Sequence, residues 1–349
     1  MTMSPKKPQS PALTRRTLAT ACLATYFGLA APPIRKSWAA GAEFSLKLGT
    51  DMPVSHPLNV RLNEAVKQVA ERSGGRMTIQ VFPNNQLGGD TDMMSQLRTG
   101  ALDMMALSGN ILSTLLPVVG IYNLPFAFAN YDQVWATMDG GLGNFLRGKL
   151  DGAGLHALDK HWDNGFRQIT SSARRIEKPS DLQGFKIRVP VTPLWVSMFK
   201  ALGAAPATIN FNEVYSALQT RVVDGQENPL PLIQTANLFE VQKFVAMTSH
   251  IWDGWYLLIN KRVWRRIPND LQQTLADSMN NAAVAQRHDI VEMSANLQTK
   301  LTQEGMEFTQ PDRPAFREAL IKAGFYAEWK KKYGDEAWGL LQQTAEKLG

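Results

Sequence analysis

The run Gly184-Phe-Lys-Ile-Arg-Val-Pro190 puts an arginine where it could do chemistry. Phe185, Ile187 and Val189 alternate with Lys186 and Arg188, the period-2 pattern of a strand with one buried face. Pro190 ends the run because it has no N–H for a sheet ladder. On spacing alone, Arg188 is either the wet side of an edge strand or a cation aimed at a partner. Other polar groups stand where strands end and helices begin: Asp51, then Ser108 and Asn110, then Asn164 and Arg167, then Phe211-Asn212 and Glu227-Asn228. In open α/β folds ligands bind at the carboxyl ends of strands, so these groups are candidates for one site. Loops are polar in any case, and the pattern alone does not decide.

The apparatus of the common enzymes is missing. The sequence has no HExxH zinc pair and no GxSxG elbow, and Asp139-Gly-Gly-Leu-Gly143 lacks the third glycine of a dinucleotide loop. The five histidines (His56, His156, His161, His250, His288) are scattered without ligand spacing and read as surface or hydrogen-bonded structural groups. Binding rather than catalysis is the expectation, with no metal and no cofactor.

The elements that must position these groups alternate. Phe44 to Gly49 reads as a strand, and Pro57 to Ser73 as a helix with Leu58, Leu62, Ala65, Val66, Val69 and Ala70 on one stripe. A strand over 76–82, a helix over 90–99 closed by Gly100, and a buried strand over 102–107 follow. This βαβ rhythm predicts an α/β fold with parallel or mixed sheets covered by helices. A second series starts near Arg167, with a strand over 186–189 and helices over 193–202, 213–221 and after Pro229. Tyr256 to Asn260 reads as a strand returning to the first series. Asn269 to Glu304 reads as one helix whose apolar positions are Leu271, Leu275, Met279, Val284, Ile290, Met293, Leu297 and Leu301. At about 1.5 Å per residue such a helix runs roughly 50 Å, enough to brace two domains.

Residues 1–42 have the layout of an export signal: basic residues before an apolar stretch over 18–29, then small residues around Ala40-Gly41-Ala42. Thr14-Arg15-Arg16-Thr17-Leu18 fits the twin-arginine type. The precursor carries a net charge of +6, and this segment holds six basic residues and no acidic one. Residues 43–349 therefore balance near zero, which argues against nucleic acid or an anionic membrane surface as partner. The only cysteine, Cys22, falls in the same segment without a lipoprotein motif around it. A thiol-free mature chain suits an oxidising compartment.

Five runs together are similar to the periplasmic solute-binding proteins of tripartite ATP-independent (TRAP) transporters: 82–88 (FPNNQLG), 165–170 (GFRQIT), 182–190 (LQGFKIRVP), 213–219 (EVYSALQ) and 223–229 (VDGQENP). The resemblance covers essentially all of the chain after the leader. It implies a periplasmic-binding-protein-like clam of two α/β domains with a ligand cleft, and a long bracing helix. Residues 43–164 with 254–293 would form one domain, and 165–253 with 294–349 the other. It also implies a carboxylate ligand passed to a membrane permease, by a protein expected to be monomeric and not inserted in the membrane. By the same resemblance, Arg188 would hold the ligand carboxylate, Asn228 would touch it, Arg167 would be a second cation and Phe211 would pack on the ligand body. A guanidinium suits that role because it is planar, always charged and gives two parallel hydrogen bonds. Asp163 is the alternative partner for Arg167, and Glu227 is expected at a hinge or permease surface rather than at the ligand.

Asp51, placed near a bound acid, makes sense as an acceptor for ligand hydroxyls, with Asn110, Asn164 and Asn212 adding amide contacts. Trp162, Trp195, Trp252 and Trp255 are candidates for stacking, two of the four being expected in the core. These groups favour a polyhydroxy acid such as a uronate or aldonate, with an aromatic or short 2-oxo or hydroxy acid as the alternative. Ser108 and Ile111 stand where a sialic-acid site would have a charged pair, which disfavours that ligand. A periplasmic enzyme using Asp51 or His161 as base, or a sensor partner, are the readings from other classes.

Overall fold

The computed structural model describes residues 41–349, and the export signal expected over residues 1–42 lies almost wholly outside them. In chain order the first five strands are β1 (Phe44–Gly49), β2 (Met77–Phe82), β3 (Met104–Ser108), β4 (Leu155–Ala157) and β5 (Trp162–Phe166). Next come β6 (Gln168–Ser171), β7 (Lys186–Val189), β8 (Ala205–Thr208) and β9 (Gly225–Asn228). The last are β10 (Phe244–Ala246), β11 (Trp252–Asn260) and β12 (Glu307–Thr309). One sheet has the order β2-β1-β3-β11-β4, with β5 also paired to β11; the other runs β12-β10-β6-β9-β7-β8. Both are mixed: β1 is parallel to β2 and β3 while β11 runs antiparallel to β3, and β7 is parallel to β8 and β9 while β6 runs antiparallel to β9. The fold is an α/β clam of two lobes, one per sheet.

The chain crosses between sheets at Arg167 and returns between Ala246 and Trp252. The two crossings lie side by side, because Arg167 N–H donates to Ile251 O at 2.8 Å and Ser249 N–H donates to Gln168 Oε1 at 2.8 Å. The cleft residues of both lobes hang from this junction.

Helix α1 (Pro57–Arg72) starts at Pro57, where proline's missing N–H costs nothing, and His56 Nδ1 accepts from Leu58 N–H. It buries Leu58, Leu62, Ala65 and Val69. Helix α2 (Asp90–Thr99) ends at Gly100, whose φ of 88° is the left-handed conformation that glycine adopts most cheaply. The long helix spans Asn269–Gln303. Its Leu271, Leu275, Met279 and Ala283 pack into the core around β1 and β3, whereas Leu297 and Leu301 pack with Val214, Val223 and Val245 of the second lobe. One helix thus belongs to two cores, as a brace requires. Val284, expected on its apolar stripe, is 39% exposed; Ala283, Gln286 and Arg287 occupy the buried side there.

Two strand expectations change. β7 is not an edge strand but lies between β9 and β8. β11 starts at Trp252 rather than Tyr256, because Asp253 and Gly254 continue the strand. A side chain at Gly254 would meet Trp162 O and the His161 ring at under 3 Å, so the glycine lets β5 come close.

Since the brace contributes to both cores, Leu297→Ala should destabilise by about 2–5 kcal/mol, the usual range for a buried leucine. Val284→Ala should stay within about 0.5 kcal/mol, as at an exposed position. Urea denaturation of the two variants checks the contrast.

Candidate functional site

Arg167 occupies the crossing between the lobes and is 2% exposed. Its Nε and Nη2 donate to the two carboxylate oxygens of Glu227 at 2.5 and 2.9 Å, Nη2 also donates to Glu227 O at 2.7 Å, and Nη1 donates to Asp253 Oδ2 at 3.1 Å. The guanidinium also lies 4.6 Å from the Trp195 ring centroid. Its acids are thus Glu227 from β9 and Asp253 from β11, not Asp163. Burial alone would raise the Glu227 pKa, but Arg167 and His250 hold it below the usual carboxylate range. Glu227 is fully buried at this junction, which places it in the hinge region rather than on a surface.

Asp253 was not singled out in the sequence and is the centre of the polar network. Its Oδ1 accepts from Ser108 Oγ at 2.5 Å and Asn123 Nδ2 at 3.1 Å; its Oδ2 accepts from Asn110 Nδ2, Asn164 Nδ2 and Arg167. Burial pushes its pKa up, with Arg167 opposing. Five converging donors favour the carboxylate. The network also fixes three amides: a carboxylate only accepts, so Asn110, Asn123 and Asn164 must turn their N–H groups toward Asp253. Their Oδ1 atoms are buried without a partner. Asn164 reaches this position as the extra residue of a β-bulge, since Asp253 pairs with Gly165 and Gly254 with Asp163.

Arg188 is 2% exposed, so it is not the wet side of its strand. Its one side-chain hydrogen bond among the described residues runs from Nε to Ile209 O at 2.8 Å. Its guanidinium stands 6.0 Å from the Phe211 ring centroid. Burial lowers its pKa to about 10, with Glu227 opposing and Arg167 adding to the fall, so it is still a cation at neutral pH.

Two acids line the same cavity as Arg188: Asp51, after β1, and Asp90, the first residue of α2. They are within hydrogen-bonding reach of each other, and the Oδ1 of each is buried without a donor from any other described residue. Burial and the neighbouring Asp90 push Asp51 well up, and burial pushes Asp90 to about 6 against the pull of Arg188. Such a pair holds a proton in common rather than two full charges.

The cavity has about 30 Å³ of free volume. Roughly 10–15 Å³ accommodates one water on that measure, so a ligand enters only when the walls part. Asp51, Ser108, Asn110, Asn164, Arg167 and Arg188 line it. Phe211 and Asn228 line it too, and so do Asp90, Asp253 and Trp255, which sequence reasoning missed as contacts or did not rank among the site residues. Beyond Asp51 and Phe211 lies an outer groove of about 640 Å³, and Asn212 belongs to that groove rather than to the cavity. The lobes touch at its lip, where Asn210 Nδ2 donates to Thr91 Oγ1 at 3.3 Å and Gly89 lies against Asn210 and Asn212.

Trp252 does not reach the cavity. Its indole N–H donates to Asp163 Oδ1 at 2.8 Å, and its ring packs with Tyr122, Phe128, Trp135 and His161. Strand alternation is the reason: Asp253 and Trp255 share the cavity face of β11, and Trp252 faces the core. His161, considered as a base, is buried in that aromatic core with its pKa lowered to about 3 by desolvation. Among the described residues no cluster of histidine, cysteine and acidic groups could hold a metal ion, and no helix is long and apolar enough to cross a membrane.

The family model for bacterial extracellular solute-binding proteins, family 7, matches residues 48–331. The chain is 36% identical over 309 residues to an uncharacterized protein of Sinorhizobium fredii, covering 88% of this chain and 56% of that one. It is 33% identical over 277 residues to the 2,3-diketo-L-gulonate-binding periplasmic protein of Escherichia coli, covering 79% and 84%. A TRAP periplasmic solute-binding protein from Polaromonas sp. JS666, solved bound to D-erythronate, superposes with a TM-score of 0.83 at 31% identity, covering 87% of this chain and all of that one.

The raised Asp90 pKa has a sign that can be measured. A carboxyl raised from its ordinary 3.8 to about 6 is protonated more readily in the folded protein than in the unfolded chain. Its contribution to stability is therefore full below about pH 3.8 and is lost as the pH rises through 6. Asp90→Asn removes this dependence, so the variant should gain on the wild type between pH 4 and 7, by on the order of 2–3 kcal/mol. Urea unfolding at both pH values measures it; a difference that stays constant would contradict the assignment.

Proposed function

This chain belongs to the bacterial extracellular solute-binding proteins of family 7, the periplasmic binding proteins of TRAP transporters, and from that membership we propose that it captures a sugar acid and hands it to a membrane permease. The observation that carries the ligand class is Arg188, a buried cation with no acid bonded to it among the described residues, opening on a cavity between two lobes. A ligand carboxylate is its natural partner, and the guanidinium fork can take it with two parallel hydrogen bonds. Asn228, at the end of β9, lines the same cavity, and its Nδ2 donates to Gln226 Oε1 at 2.5 Å.

The rest of the ligand is read from what the walls lack. Four acceptor oxygens of the residues lining the cavity have no donor among the described residues beyond what Asp51 and Asp90 share with each other: Oδ1 of Asp51, Asp90, Asn110 and Asn164. Buried acceptors left unpaired are costly, so the ligand that fits best brings hydroxyl donors to them. Phe211 and Trp255 supply apolar wall for the carbon chain. A hydroxylated monoacid, an aldonate or uronate, answers both halves of the cavity. The relatives that bind 2,3-diketo-L-gulonate and D-erythronate support the reading. An aromatic or 2-oxo acid without hydroxyls would leave these oxygens unmatched.

No chemistry on the ligand is proposed. Binding energy instead favours the closed arrangement, in which the Asn210–Thr91 lip contact is made, and the permease reads that form. Unchanged acid should be recovered after long incubation with the protein.

A thermal-shift screen of organic acids should show hydroxylated monoacids raising the melting temperature, and a screen in which no carboxylate does so would sink the proposal. Arg188→Ala should cost about 2–5 kcal/mol of binding, the range for truncating one member of a buried charge pair. Arg188→Lys should recover little of it, because an ammonium cannot reproduce the planar fork. Calorimetric titration with the acid found in the screen measures both.

A further inference from the structure

We propose that the buried Asp51–Asp90 pair restricts this site to acids with a single carboxylate, by fixing negative charge where the second carboxylate of a diacid would have to lie. The inference rests on the carboxylate-binding reading above and adds to it a rule of exclusion.

The argument is a charge inventory of a closed space. The ionisable groups lining the cavity are Arg167, Arg188, Asp51, Asp90 and Asp253. Arg167 is already engaged by Glu227 and Asp253, which between them exceed its charge. That leaves Arg188, from the second lobe, to balance Asp51 and Asp90, from the first. A ligand carboxylate bound to Arg188 uses the last cation not bonded to an acid among the described residues of the cavity. The other end of the ligand then meets Asp51 and Asp90. Even with one proton between them, the pair keeps a negative charge and at least one lone pair per acid free to accept.

A hydroxyl or hydroxymethyl group there donates into a carboxyl oxygen of Asp51 or Asp90 that the shared proton leaves free, the Oδ1 of each being buried without a donor from any other described residue. A carboxylate there has nothing to donate and repels the pair in a space closed to water. Asn110 and Asn164 offer no relief, since each has its amide nitrogen on Asp253 and an Oδ1 that is buried without a partner among the described residues. The selectivity therefore lies more in rejecting the wrong ligand than in added attraction for the right one.

Matched pairs of acids test this, each pair differing only in whether the terminal carbon is a hydroxymethyl or a carboxylate. The pairs are D-erythronate with meso-tartrate and D-galactonate with galactarate, titrated by calorimetry at pH 7.5 into the wild-type protein, Asp90→Asn and Asp51→Asn. In the wild type, the monoacid that binds should do so at least about 100-fold more tightly than its diacid, the scale of a buried like-charge contact. In a folded Asp90→Asn or Asp51→Asn protein, the gap should shrink to about tenfold or less. A diacid that binds the wild type as tightly as its monoacid overturns the inference while leaving carboxylate binding intact, and needs no variant to be read. So does a gap that both variants leave unchanged. If none of the four acids and no carboxylate in the wider screen binds, the underlying reading falls and takes this inference with it.

Discussion

One buried guanidinium sets the terms for the rest of the cleft. Arg167 sits where the chain passes from one sheet to the other and holds an acid from each: Glu227 of β9 and Asp253 of β11. Taking three charges out of water is expensive, and it is tolerable only if nearly every lone pair and N–H finds a partner. That requirement reaches outward. Asp253, left with one bond from Arg167, recruits Ser108, Asn110, Asn123 and Asn164. Because each amide must turn its nitrogen to the carboxylate, the oxygens of Asn110 and Asn164 are left facing away from it. The acceptor-rich wall of the cavity follows from satisfying a charge that the ligand need not touch.

The two arginines of the cavity are chemically alike and differ in how the fold commits them. Arg167 has four side-chain hydrogen bonds and an aromatic face beneath it, so it is a structural tie with limited capacity for a ligand. Among the described residues Arg188 makes a single side-chain hydrogen bond, in which Nε donates to the carbonyl of Ile209, and this leaves the fork free. The segment that supplies this carbonyl continues directly into Phe211, which covers the guanidinium, and Asn212, which reaches the lip. Anchoring the cation, roofing it and meeting the other lobe are thus done by four consecutive residues.

Much of this was legible in the sequence, and the misses have physical causes. β1, β7 and the long helix stood at or within a residue of their expected limits, because each has a clear period and a clear stop. Arg188 and Asn228, which line the cavity, were singled out through motifs, since period-2 spacing says which residues share a face but not what the other face meets. Asp253 was passed over although Trp252 and Trp255 on either side were noted. Asp-Gly is a turn signal, and nothing local shows that this glycine is there to let β5 approach. The visible clue was an acid inside a run, Trp252–Asn260, that is otherwise almost wholly apolar. Asp90 was read only as the first residue of the helix over 90–99. That reading is correct for the helix and silent about the cavity on its other side. Trp252 failed for the converse reason, its apolar bulk being equally suited to a stacking wall and to a core.

A cavity that already contains a cation and two nearby acids might be taken as self-neutralised and inert. Its geometry argues otherwise. Arg188 belongs to the second lobe, while Asp51 and Asp90 belong to the first, and no direct ion pair joins them among the described residues. The attraction between them acts across the cleft, yet among the described residues it leaves the fork of Arg188 without a hydrogen bond and the Oδ1 atoms of both acids without one from any other residue. A ligand with a carboxylate at one end and hydroxyls along its body replaces one long-range attraction with several short, directed bonds to both lobes. The same groups that draw the lobes toward each other therefore have more to gain when something of the right polarity lies between them, and on the proposed function closure would depend on the ligand for that reason.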